Sequence, residues 1–251
     1  MRIRAWMLLA PTLFSSLAML SAEESPKTPP GWTVGSVYGK AVTAADIGLS
    51  APIDPAIEFE GRDTARWELM GRIMTAFGGP VVERFVKREK IEATRDEIMK
   101  FKSHFRRSNE RNLHQWEARL VELNKELAEP NLSNESKTKL EKERAEYEGL
   151  VASKRESRTA DVPEEVARTF IVTWKTEREL HRAYGGGVIF QQAGPEALDA
   201  RRRLFEQAEK KGDIRFADAG VRHLFYYYAN MKHTVIDEKA LERPWFLEDG
   251  N

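Results

Sequence analysis

From Thr94 to Glu129 the chain repeats apolar residues at helical spacing for longer than anywhere else, and this run limits what the remainder can fold into. Thr94 followed by Glu97 has the form of a capping box. The Thr hydroxyl accepts from a first-turn backbone N–H, and the Glu carboxylate reaches back to the cap. Ile98, Phe101, Phe105, Leu113, Trp116, Leu120, Leu123 and Leu127 follow at steps mostly of three or four, with a polar gap at Ser108 and Asn109. Pro130 ends the run. At 1.5 Å per residue such a helix is roughly 50 Å long, more than a compact domain covers, so a second element has to pack along it. The charged segment that follows the polar turn 131–134, reaching about Arg158, carries Leu140, Tyr147, Leu150 and Val151 on one side. The short connection favours an antiparallel pair, so 94–158 is expected to form a protruding helical hairpin.

Composition narrows the function. The 251 residues are 41% hydrophobic and 32% charged, enough for one substantial core with charged helical surfaces. Basic and acidic side chains number 40 each, so no basic excess attracts nucleic-acid phosphates. With no Cys there are no disulfides, no thiolate nucleophile and no Cys-ligated zinc. At the N-terminus, Arg2 and Arg4 precede an apolar run from Ala5 to Leu20 with small residues at Ser21 and Ala22. That run has 16 residues and contains Pro11, short of the ~20 that a spanning helix needs. Residues 1–22 are therefore expected to be a signal peptide cut after Ala22, which sends the chain to the periplasm or outside the cell; an uncleaved anchor is the alternative, since Leu20, third before the cut, is not the small residue that cleavage favours. The mature chain, with 38 basic against 40 acidic side chains, is not expected to insert stably into a membrane.

Past the cut, Pro26, Pro29 and Pro30 make 23–33 a flexible linker. The body, 34–251, is expected to be a single helical domain. Its first part, 34–93, opens with a β-hairpin turning at Gly39-Lys40, followed by a capped turn at Thr43–Asp46. Asp63 caps a helix burying Trp67, Met70, Ile73, Met74 and Phe77, which Gly78-Gly79 ends, and Pro80 starts the next. The last part, 161–251, opens at a cap formed by Asp161 to Glu164. A helix with Phe170 and Trp174 follows, stopped at Gly185–Gly187, and Val188 to Gln191 is a buried or extended piece. Gly194-Pro195 is expected to restart a helix, and Asp218 to begin the last one. The apolar tail Pro244-Trp245-Phe246-Leu247 is expected to dock back onto the body.

Val37-Tyr38-Gly39-Lys40-Ala41-Val42-Thr43 with Asp46-Ile47, and later Ile91-Glu92-Ala93-Thr94-Arg95-Asp96-Glu97-Ile98 after the basic link Val86 to Lys90, resemble two signatures of one family. It is that of the SurA-like periplasmic chaperones and the parvulin-type prolyl isomerases attached to them. The likeness covers about 34–105, the N-terminal helical domain only. It implies a mainly α fold, a SurA N-like or trigger-factor-like peptide-binding domain with a small N-terminal β-hairpin and a long antiparallel helical arm. It also implies shielding of unfolded segments of exported proteins. The isomerase module does not carry over: 185–251 is too short and reads as mostly helical, without the strands expected around Gly185–Gly187.

Paired acids such as Glu164-Glu165 and Glu141 with Glu143 belong to solvated faces rather than to acid/base catalysis. Glu177 and His181 lie one turn apart, but no third ligand is placed for a metal, and a structural hydrogen bond is the simpler reading. Gly185–Gly187 lacks the Gly-Lys-Ser/Thr ending of a phosphate loop. No cofactor or metal is called for. Aromatics are the more informative group. Tyr226, Tyr227 and Tyr228 point in different directions on a helix, so at least one faces a groove or solvent. Phe101, Phe105, Trp116, Trp174, Phe225 and Tyr228 are the candidates for holding an unfolded or extended polypeptide. The alternatives are a structural protein that forms a homodimer through the helical arm, and a degenerate prolyl isomerase.

Overall fold

The computed structural model describes residues 31–54, 64–156, 161–191 and 193–247; the expected signal peptide and the Asp63 cap lie outside them. The fold is mainly helical, with a small antiparallel hairpin at its N-terminal end. The order is β1 (Thr33–Val37), β2 (Lys40–Thr43), α1 (Thr64–Ile73), α2 (Gly79–Arg88), α3 (Arg95–Leu127), α4 (Asn134–Glu156) and α5 (Glu164–Tyr184). There follow β3 (Val188–Gln191), β4 (Gly194–Glu196), α6 (Leu198–Lys211), β5 (Ile214–Phe216), α7 (Ala219–Asn230) and β6 (Val235–Ile236). These elements form two compact units. One takes the chain up to Ile91 and Thr176–Glu242; the other takes Glu92–Lys175 and the chain from Arg243. The helix α5 gives its N-terminal part to the second and its remainder to the first.

The second unit contains the long helix. Thr94 Oγ1 accepts from the Glu97 N–H at 3.3 Å, and the Thr94 N–H donates to Glu97 Oε2 at 2.8 Å, so the capping box is complete. α3 ends at Leu127, short of Pro130, because its last turn closes through Ala128. α4 returns antiparallel along it: Arg119 meets Glu143 at 3.0 Å, and Glu117, earlier on α3, meets Arg155, later on α4, at 2.7 Å. Leu113, Leu123 and Val151 supply the buried seam. The ion pairs fix register more than they stabilise, since exposed pairs contribute about 0–1 kcal/mol. At the other end of α3, a small core gathers Ala93, Ile98 and Phe101 with Ala167 and Ile171 of α5.

The first unit is built on two three-stranded antiparallel sheets, in the orders β2-β1-β5 and β4-β3-β6. Its core is a run of rings: Phe77 lies 4.7 Å from Phe216, Phe216 5.2 Å from Phe225, and Phe225 5.0 Å from Phe205. Gly35 of β1 lets Phe77 lie against the strand, since a Cβ there would stand 2.7 Å from the ring.

Several details differ from the sequence expectation; Trp67, expected to be buried by α1, keeps 39% of its surface exposed. The first hairpin turns at Tyr38-Gly39, because Val37 pairs with Lys40; a two-residue turn with both φ positive takes Gly second. Gly78-Gly79 does not end the helix: Met74–Gly78 is a π-helical stretch and Gly79 stays helical at φ −51°. Gly78 is there for packing, since a Cβ would meet the Met74 sulfur at 2.7 Å and the Phe205 ring at 3.0 Å. Gly194-Pro195 belongs to β4, which pairs with β3, and the helix begins only at Leu198. The segment after Gly185–Gly187 is therefore not strand-free: β3 and β4 pair locally and β6 joins from further along, pairing Val188 with Ile236 and Ile189 with Val235. Such short strands leave too little alternation to be seen in sequence.

Candidate functional site

Two aromatic pairs at helical spacing create the site. Phe101 and Phe105 lie one turn apart on α3, and Phe170 and Trp174 lie one turn apart on α5. Phe101 and Phe105 are stacked, with centroids 6.2 Å apart and planes 9° apart, and Phe170 stands 5.5 Å from Phe101. Into this aromatic groove comes the chain's own C-terminal segment. Phe246 lies 5.2 Å from Phe101, 6.1 Å from Trp174 and 6.5 Å from Phe170, and Trp245 lies 5.9 Å from Phe170. Offset and edge-on rings at these separations attract one another beyond the apolar area they bury. The segment is a single 3-10 turn, Trp245–Leu247, closed by the Leu247 N–H donating to the Pro244 carbonyl at 2.8 Å.

Two of the four wall rings are buried, and Phe170, like the occupant, is half-buried. Phe101 and Trp174 are 4% and 7% exposed, whereas Trp245, Phe246 and Leu247 are all half-exposed. Phe105 keeps 42% of its surface, so aromatic surface reaches solvent at that end. Polar groups brace the walls. The Lys175 ammonium donates to the Glu92 carbonyl and to Glu97 Oε2, both at 2.8 Å. Partial burial pushes the Glu97 carboxyl up, but the Lys175 ammonium and the two Thr94 donors outweigh it and hold it below its ordinary range. Lys102 pairs with Asp161 at 2.6 Å.

Of the residues singled out in the sequence, Phe101, Phe105 and Trp174 come together here. Trp116 lies eleven residues beyond Phe105, roughly 16 Å along the helix, and is half-buried. Phe225 and Tyr228 belong to the other unit. Phe225, 1% exposed, is spent on the core, while Tyr226 is buried and Tyr227 and Tyr228 are half-buried. Phe170 is the wall residue missing from the sequence candidates. Its spacing from Trp174 was the available signal, but that spacing serves a core equally well.

The Glu177–His181 pair does not converge. Glu177 is 2% exposed, accepts from the Ala197 N–H at 2.9 Å and pairs with Arg201; His181 faces the Gly186 carbonyl at 3.1 Å. Arg201 also binds Glu196 at 2.9 Å, so one guanidinium serves two acids. Burial pushes the Glu196 carboxyl up, against the pull of Arg201, and burial with the Glu196 charge pushes the Tyr228 phenol up to about 12. The cluster ties β4 and α6 to α5. Among the described residues no three His, Asp or Glu side chains could hold a metal ion, and no helix is long and apolar enough to cross a membrane.

No protein-family model, no curated protein and no solved structure matches the chain.

Proposed function

We propose that this chain is a non-enzymatic, chaperone-like protein that binds unfolded or extended polypeptide segments of exported proteins, using the aromatic groove between α3 and α5. One observation carries the reading: the groove already holds a short apolar peptide segment, Trp245–Leu247, through ring contacts that any similar segment could make. The resemblance of 34–105 to the SurA-like N-terminal domain and the signal-like run before Ala22 support the exported setting. Contacts of this kind bind by apolar area with little demand on sequence, as a chaperone requires.

The test is light scattering from an aggregating unfolded outer-membrane protein, with the chain from Glu23 to Asn251 added, at low and high salt. Suppression that survives salt and falls in Phe105→Ser, a substitution at an exposed ring, is expected. Absence of suppression at several-fold molar excess sinks the reading.

A second reading, an assembly arm, has one observation behind it. A shallow depression of about 450 Å³ on the α3–α4 hairpin is lined by Leu120, Val121 and Val151 between Glu117 and Arg155, and Val121 is 55% exposed. A dimer in sedimentation that Val121→Glu abolishes would favour it.

A further inference from the structure

We propose that the first unit carries a separate binding cleft for a small amphipathic anion, an apolar body ending in one carboxylate, held between the β1–β2 turn, α2 and α6. The cleft has a volume of about 370 Å³. Its floor is apolar, made of Val81 and Phe85 of α2 with Leu204 and Ala208 of α6, all buried. Its rim carries Arg84, Arg88 and Lys211 against a single acid, Asp213. Arg88 is committed to Glu89 at 2.7 Å, but Arg84 and Lys211 pair with no carboxylate among the described residues. An apolar floor under two cations that no carboxylate neutralises, one of them stacked on Tyr38, fits a ligand with one negative end.

The hairpin turn supplies the second, independent observation. Tyr38 and Gly39 both have positive φ, 48° and 78°. Asn, Asp or Gly takes the first of these positions without difficulty, whereas a bulky aromatic there is strained. That position aims the Tyr38 ring into the cleft, where the Arg84 guanidinium lies over it, 4.6 Å from its centre. Strain of this kind persists where a side chain is needed in a fixed place. Burial, followed by the Asp213 charge, pushes the Tyr38 phenol above its ordinary value against the pull of Arg84. The groove of the second unit is not involved, so this proposal stands or falls separately from the polypeptide reading.

The test is isothermal titration of the full chain with phenylpropionate, its neutral amide, inorganic phosphate and an acetylated apolar tripeptide with a free carboxyl end. The acid is expected to bind at least about tenfold more tightly than the amide. Arg84→Gln and Lys211→Gln should each weaken it by roughly tenfold, the scale of one charge-assisted hydrogen bond, without lowering the melting temperature. Tyr38→Asn should weaken binding while raising the melting temperature by roughly 2–4 °C, because the strain is relieved. The tighter binder of phenylpropionate and the tripeptide identifies the source of the carboxylate. Equal affinity for acid and amide, phosphate binding as tight as the acid, insensitivity to both cation substitutions, or no heat at millimolar ligand each overturns the proposal.

Discussion

Replacing Phe246 by Ala tests whether the groove is a binding site with an internal occupant. Full burial makes a Phe→Ala change cost about 3–5 kcal/mol, and Phe246 is partly rather than fully buried, so about 2 kcal/mol or more of its contact with Phe101, Phe170 and Trp174 should be lost. That energy is a factor of roughly thirty in the equilibrium between the seated and the released tail. A competing peptide binds only when the tail is out, so its apparent affinity should rise by up to the same factor. The assay is fluorescence anisotropy of a labelled peptide reproducing 240–251, titrated with the wild-type chain and with Phe246→Ala. A melting curve of each protein confirms that the body remains folded. Binding that is unchanged or weaker in Phe246→Ala would refute the reasoning, because the tail would then be a fixed part of the core and the groove no site at all.

Three further outcomes follow from the packing. Thr94→Ala removes the cap of α3 and should cost about 1 kcal/mol in thermal or chemical unfolding. Glu97 titrates below its ordinary value of 4.5, so its contribution is present above that value and is lost as pH falls through the folded one; the penalty of Thr94→Ala should therefore shrink in acid. Arg201→Met leaves buried Glu177 unpaired and should cost about 3–5 kcal/mol, whereas Arg168→Met, at the exposed pair with Glu164, should cost under about 1 kcal/mol; similar losses would contradict the burial argument. Gly35→Ala would put a Cβ 2.3 Å from the Arg215 carbonyl and 2.7 Å from the Phe77 ring, and should destabilise by about 3 kcal/mol or more; a wild-type melting temperature would rule out the β1–β5 pairing.

What the sequence determined by itself is what local chemistry determines. The Thr94 cap, the antiparallel return of α4 along α3 and the stop at Gly185–Gly187 follow from residues within a few turns of one another. Three of the six aromatic candidates, Phe101, Phe105 and Trp174, meet at one groove, because i,i+4 pairs on two helices make adjoining ladders. The tail was legible as apolar, but its seat was not. Nothing local ties Phe246 to Phe101, 145 residues away. The turn at Tyr38-Gly39 was misplaced by one residue because Gly marks a positive φ without saying which neighbour shares it. Phe225 and Phe101 look alike in sequence, yet only Phe101 adjoins the groove, while Phe225 closes a core with Phe205 and Phe216. The Arg201 cluster and the cleft beside Tyr38 join side chains from distant elements. Periodicity reports which face of a helix is apolar; tertiary packing alone decides what covers that face, because burial is non-directional and any apolar partner that fits will serve.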